Sequence, residues 1–233
     1  MDSRYAAMRS GLQLRKAMTF AMGLAMAFAL ALATGGAQAG TGRVPSKMQP
    51  ATKTVLVMGD SLSAAYGMAA SKGWVSLLDA RLRKTHPGWS MVNASVSGET
   101  TAGGVARLPR QLERVKPAVV VIELGANDGL RGLPLDRMQA NLDRMIRLSK
   151  ASGAKVLLVG MRMPPNLGRA YTEGFANTYT QLAKRHQVAL LPFFLEPIML
   201  DRGAFQRDNL HPTEAAQSKL AGHVWPALQP LLK

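Results

Sequence analysis

The segment Thr54-Val55-Leu56-Val57-Met58-Gly59-Asp60-Ser61-Leu62-Ser63 constrains this chain more than any other. An apolar, β-branched run that stops at Gly-Asp-Ser reads as a strand buried on both faces, as in the parallel sheet of an α/β protein. Ser61 then stands at the carboxyl end of that strand. Ligands of open α/β sheets bind in the crevice beyond the strand carboxyl ends, so a hydroxyl delivered there is placed to meet a substrate. A helical turn beginning at Ser61 would add unpaired N–H groups and a positive dipole end, both favouring negative charge nearby. Asp and Ser are also common helix caps, so the block gains meaning only from a base and further donors at later strand ends.

The rest of the chain alternates between strand and helix patterns. Trp74, Val75, Leu77, Leu78 and Leu82 recur at helical spacing within residues 72–85, and His86-Pro87-Gly88 ends that helix. Residues 89–96 read as a second strand, and the glycine-rich loop 97–104 opens a helix that ends near Lys116-Pro117. Residues 118–124 are apolar on both sides until Glu123, which places them in the middle of a covered sheet. A carboxylate there is costly unless paired, so Glu123 requires a buried partner. The loop Gly125-Ala126-Asn127-Asp128-Gly129 precedes a helix over 135–151, whose Met138, Leu142, Met145, Ile146 and Leu148 form an apolar stripe. A fourth strand over 155–160, a helix through Tyr171, Phe175, Tyr179 and Leu182, and a fifth strand over 188–192 follow. His211-Pro212-Thr213 opens the last helix, with Pro212 suited to its first position. Five strands alternating with helices, without an internal repeat, predict a three-layer, doubly wound α/β fold around a parallel five-stranded sheet.

Arg4, Arg9, Arg15 and Lys16 precede the apolar stretch 17–33, and Ala37-Gln38-Ala39 supplies a small-residue cleavage site. Residues 1–39 therefore read as a secretory signal peptide removed after Ala39, giving an exported protein that is periplasmic or secreted. The apolar run is short for a membrane span, which needs about 20 residues. Residues 40–52, with Pro45 and Pro50, form a flexible leader, and 53–233 form one domain, expected to be a monomer. The chain has no cysteine, which excludes disulfides and a lipidated cysteine, so the core alone must hold the fold. Its net charge of +15 is spread without like-charge runs or interleaved aromatics. That pattern argues against a nucleic-acid surface and suits a solvated basic exterior with peripheral contact to anionic membrane lipid.

A serine hydrolase needs a base for the hydroxyl proton, a carboxylate to orient that base and donors for the tetrahedral oxyanion. Polar residues gather at the strand ends: Ser61, the Gly98 loop and Asn127, joined by Asp208 and His211 in the last loop. His211 is the candidate base and Asp208, three residues earlier, its orienting carboxylate. The backbone N–H groups of Ser61 and Gly98 and the side-chain amide of Asn127 are the candidate oxyanion donors. Asp128 reads as a loop-fixing acceptor. His86, His186 and His223 occupy ordinary helical contexts, while Met161, Met163, Tyr171 and Phe175 are candidates for either an acyl-chain pocket or core packing.

Gly59-Asp60-Ser61-Leu62, Gly98 within Ser-Gly-Glu-Thr, Gly125-Ala126-Asn127-Asp128 and Asp208-Asn209-Leu210-His211-Pro212 together resemble the blocks of the SGNH (GDSL) hydrolases, in the same order. Residues 60–67 and 124–132 resemble the secreted bacterial thioesterase I/arylesterase/lysophospholipase group in particular. The resemblance implies a flavodoxin-like fold, a Ser61–His211–Asp208 triad, an oxyanion hole from Ser61, Gly98 and Asn127, and no cofactor or metal. Ala126 departs from the pattern, since that group usually carries glycine there, and its methyl group bears on substrate size and rate.

The expected activity is hydrolysis of acyl esters and thioesters, with a small-molecule acyl substrate as partner. A short-chain acetylesterase acting on acylated carbohydrate is the alternative. A metal-dependent phosphoesterase would need more His and carboxylate ligands than the four histidines provide. A non-catalytic lipid- or carbohydrate-binding module would have no use for the full set of candidate catalytic residues.

Overall fold

The computed structural model describes residues 53–233; the signal peptide and leader expected over 1–52 lie outside the described residues. Five strands, β1 (Lys53–Gly59), β2 (Trp89–Asn93), β3 (Val119–Glu123), β4 (Lys155–Val159) and β5 (Ala189–Leu191), form one sheet in the order β2-β1-β3-β4-β5. Every pairing is parallel, so the expected doubly wound sheet is present. This order reverses direction at β1, which lies between β2 and β3. Such a switch point opens the crevice in which doubly wound sheets bind ligands.

Helix α1 (Trp74–Thr85) packs with α6 (Gln217–Leu228), and α4 (Leu135–Ala151) packs against both α2 (Thr101–Val115) and α5 (Arg169–His186). Helices covering both faces leave β3 buried at every residue, as its unbroken apolar run requires. Val55, Leu56, Val57 and Met58 of β1 are likewise fully buried.

Three local expectations need correction. The second strand ends at Asn93 rather than Val96, although the Ala94 and Val96 N–H groups still donate to Val57 and Gly59 carbonyls at 2.9 and 3.0 Å. Pro212 does not begin the last helix. It bridges Phe205 in antiparallel fashion, and α6 starts at Gln217 after a 3₁₀ turn over Glu214–Ala216. The proline's carbonyl is held at 3.0 Å by the Gln206 side chain, which keeps this stretch extended. Finally, the loop after β3 is itself a short helix, α3 (Ala126–Leu130), entered through Gly125 at φ +120°. A side chain at Gly125 would collide with the Tyr179 hydroxyl, so only glycine fits that entry.

Candidate active site

Sheet topology sets the site. Ser61, Gly98 and Asn127 follow the carboxyl ends of the adjacent strands β1, β2 and β3. Beyond Gly59 the chain turns sharply, with the Ala64 N–H donating to the Asp60 carbonyl at 2.9 Å. This is a single helical turn rather than the start of a helix, because the Tyr66 N–H reaches back to the Ser61 carbonyl at 3.2 Å and the turns continue. Ser61 is left half-buried at the floor of a cavity.

His211 bridges the nucleophile candidate and its carboxylate. Its Nε2 lies 2.8 Å from Ser61 Oγ and its Nδ1 lies 2.7 Å from Asp208 Oδ2. The other Asp208 oxygen accepts the backbone N–H groups of Leu210 and His211 at 2.9 and 3.0 Å. Those donors favour the ionised form, so the Asp208 carboxyl is held at about 2. With Asp208 ionised, Nδ1 carries the ring proton and Nε2 faces Ser61 as an acceptor.

Asp60, fully buried, has the opposite electrostatics. Burial pushes its carboxyl up to about 6 against the opposing pull of the Leu62 N–H, the Asn127 amide and the nearby His211. Its Oδ1 accepts the Leu62 N–H at 3.0 Å and its Oδ2 accepts Asn127 Nδ2 at 3.1 Å. An asparagine amide carries two hydrogens, so one can be fixed on Asp60 while the other faces the cavity. Beneath it, Glu123 has the buried partners its position demanded. Its Oε2 accepts the Ser63 hydroxyl at 2.6 Å and the Asp60 N–H at 3.4 Å. Burial, and then the proximity of Asp60, push the Glu123 carboxyl well above its ordinary range.

Gly98 adopts φ +76° and is exposed; its carbonyl accepts from the Arg131 guanidinium at 3.0 Å. It lies outside the cavity that Ser61, Asn127 and His211 share. The loop around it is pinned by Glu99 and the Ala94 carbonyl, both bonded to Arg107. Asp128 fixes this region as expected, accepting the Thr101 N–H and hydroxyl at 2.9 and 2.6 Å and so joining α3 to the start of α2.

The cavity, about 270 Å³, is walled largely by apolar side chains including Leu62, Met161, Met163, Phe193 and Leu210. Of the four residues considered for such a pocket, the two methionines line it. Phe175 is buried core, and the Tyr171 hydroxyl donates to the Leu133 carbonyl at 3.0 Å. Ala126 also lines the cavity. Leu130 enters from the end of α3 and Met199 and Leu210 from two separate loops, and no local pattern in the sequence joins them. The other histidines do structural work: His186 meets Asp143 at 2.6 Å, His223 meets the Phe193 carbonyl at 2.9 Å, and His86 packs edge-on to Trp225. Among the described residues no cluster of three or more potential metal ligands occurs.

The GDSL-like Lipase/Acylhydrolase family model matches residues 57–219, a span that contains every candidate site residue. Esterase TesA of Pseudomonas aeruginosa is 51% identical over 184 residues, covering 79% of this chain and 92% of the relative. Thioesterase 1/protease 1/lysophospholipase L1 of Escherichia coli K12 is 43% identical over 182 residues, 78% of this chain and 86% of the relative. A crystal structure of TesA superposes with a TM-score of 0.75 at 51% identity, covering 77% of this chain and 99% of that one. This chain belongs to the GDSL-like lipase/acylhydrolase family, the SGNH hydrolases that cleave ester bonds.

Proposed function

We propose that the enzyme hydrolyses carboxylic esters and thioesters of acyl substrates, with Ser61 as nucleophile, His211 as general base and acid, and Asp208 as the carboxylate that orients it. The observation that carries this reading is the continuous chain of contacts from Asp208 through the His211 ring to Ser61 Oγ. Ser61 Oγ attacks the acyl carbonyl while His211 Nε2 takes its proton. The tetrahedral oxyanion is met by the backbone N–H of Ser61 and by the Asn127 amide, with the N–H of Gly98, which lies outside the cavity wall, as the third candidate donor. His211 returns the proton to the leaving alcohol or thiol, releasing it and leaving an acyl-enzyme. Water, deprotonated by the same ring, then frees the fatty acid. Every proton moves between Ser61, His211, leaving group and water, so no cofactor or metal is required.

The apolar cavity favours an acyl chain over a sugar, which would leave hydroxyl groups facing methionine and leucine. The names of the two relatives, an esterase and a thioesterase/lysophospholipase, favour the same substrate class. The alternative, a short-chain acetylesterase for acylated carbohydrate, would set those hydroxyl groups against the apolar wall. Export through the signal peptide keeps the enzyme from cytoplasmic acyl carriers, which favours oxygen esters of lipids as its cellular substrates. Exposed Met199 and Leu200 beside the cavity, together with the basic exterior, favour peripheral contact with anionic lipid by a monomeric enzyme.

The test is the initial rate of purified residues 40–233 on p-nitrophenyl esters of increasing acyl length, with and without chelator, alongside Ser61→Ala. Turnover that depends on Ser61, ignores chelator and peaks at medium or long chains is expected. Chelator-sensitive turnover or a Ser61→Ala protein that retains activity contradicts the mechanism, and a sharp optimum at acetyl favours the carbohydrate reading.

A further inference from the structure

Tyr66 is a large aromatic that the core does not need. The residue is 49% exposed, yet its ring lies on the His211 imidazole with centroids 4.3 Å apart and planes inclined by 34°. It belongs to the turn that carries Ser61, whereas His211 arrives from a loop 145 positions later in the chain. A single side chain, Gln206, ties the two together. Its Nε2 donates to the Tyr66 carbonyl at 2.9 Å and to the Pro212 carbonyl at 3.0 Å, using both amide hydrogens. Its backbone N–H donates to the His211 carbonyl at 2.7 Å, and its own carbonyl accepts the Asn209 N–H at 2.9 Å. Gly67, at φ +75°, leaves room for this arrangement, since a Cβ there would run into Gln206 Oε1.

We infer that Tyr66 and Gln206 form a clamp that positions His211 against Ser61. This rests on the roles proposed above for those two residues. Gln206 binds the backbone on both sides of the base, to the nucleophile's turn at Tyr66 and to its own loop at His211 and Pro212. Tyr66 covers one face of the imidazole, limits its rotation about the Asp208 contact and shields it from water. The same ring face is attracted to the imidazolium that forms once His211 takes the serine proton, because an aromatic face is electron-rich. Both are positioning residues, acting on the substrate only through His211. Small errors in placement are costly here, since proton transfer from Ser61 requires the 2.8 Å contact to be kept throughout turnover.

The experiment measures kcat and KM separately on p-nitrophenyl butyrate for Tyr66→Leu, Tyr66→Phe, Gln206→Glu and Gln206→Met, with Ser61→Ala beside them and thermal unfolding of each. Tyr66→Leu is expected to lower kcat about tenfold while KM stays within about twofold, and Tyr66→Phe to restore most of that kcat. Gln206→Glu, which puts an acceptor against two carbonyls, is expected to lower kcat by ten- to a hundredfold, and Gln206→Met by less. A Tyr66→Leu enzyme with wild-type kcat overturns the clamp, as does a raised KM at unchanged kcat, which would make Tyr66 a substrate wall. Loss of kcat that follows a fall in unfolding temperature across all four variants also overturns it, because the role would then be structural. Ser61→Ala keeps the two readings apart: if it is active the triad itself fails, and if it is dead while the Tyr66 and Gln206 variants are normal only the clamp fails.

Discussion

The segment that carries Ser61 and the loop that carries His211 reach the same point by different means. Residues 59–63 leave a strand hydrogen-bonded on both sides, and their polar groups turn inward. Asp60 and Ser63 are essentially inaccessible and rest on the equally buried Glu123. Residues 207–210 are exposed, and the loop around them is held mostly by its own bonds: Asp208 caps Leu210 and His211, Asn209 takes the left-handed conformation at φ +57°, and the Gln206 N–H closes the loop on the His211 carbonyl. The carboxylates differ accordingly. Burial drives Asp60 up to about 6, whereas backbone donors hold the solvent-exposed Asp208 at about 2. The sheet thus fixes Ser61 through the core, while His211 is placed by hydrogen bonds of an exposed loop that the core does not depend on. Mutations on the first side should cost stability and activity together, and mutations on the second should cost activity alone.

The largest effect expected from this contrast is that of His211→Ala. We predict a loss of about 10⁴-fold or more in kcat/KM with an unfolding temperature close to wild type, read by ester hydrolysis and calorimetry. A strongly destabilised variant would break the distinction. Asn127→Ala comes next, at about 10²- to 10³-fold in kcat, the usual size for one lost oxyanion donor. It also leaves Asp60 Oδ2 without its Asn127 partner, so a modest fall in stability should accompany it. Glu123→Ala reverses the balance. It strands the Ser63 hydroxyl and the Asp60 N–H in the core and should cost about 3 kcal/mol, near 6–12 °C in unfolding temperature for a domain of this size. Activity should fall with it, because the turn bearing Ser61 loses its support.

The smallest effect is a dependence on pH with opposite signs for the two carboxylates. Asp60 binds its proton more tightly folded than unfolded, since its carboxyl moves from 3.8 to about 6. The stabilisation this gives is complete below pH 3.8 and is lost as pH rises through 6. Asp208 moves from 3.8 to about 2, so its contribution is present above pH 3.8 and is lost as pH falls towards 2. Asp60→Asn should therefore flatten the pH dependence of unfolding temperature between pH 4 and 6 by about 4–8 °C, and Asp208→Asn should change it only below pH 4. Equal slopes in both variants would erase the contrast.

The same contrast governs what the sequence reveals. Strand β1 and the Gly-Asp-Ser turn are legible because burial on both faces writes a continuous apolar run that must end where the chain emerges. The Asp208–His211 spacing is legible because a carboxylate three residues before a histidine can reach both the ring and the backbone N–H groups of the turn. Helix α3 escaped notice because it has only five residues and includes Gly129, with no cap other than the conformation of Gly125. Pro212 suggested a helix start by its fixed φ, but the Gln206 amide and the bridge to Phe205 override that preference with tertiary bonds. Tyr66 against His211, Gln206 across to Tyr66, and Asp60 beneath Asn127 join positions far apart in the chain. Contacts of that kind leave no periodicity or local motif, and they become visible only when the strands are in register.

Ser61 as the nucleophile activated by His211 is most directly tested by labelling with a p-nitrophenyl alkylphosphonate, followed by intact-protein and peptide mass spectrometry. One phosphonyl group per enzyme, confined to the peptide containing Ser61, is predicted for the wild-type protein. Labelling should be absent in Ser61→Ala and slowed at least about 10³-fold in His211→Ala. A label on another residue, or labelling that persists in Ser61→Ala, would contradict the account.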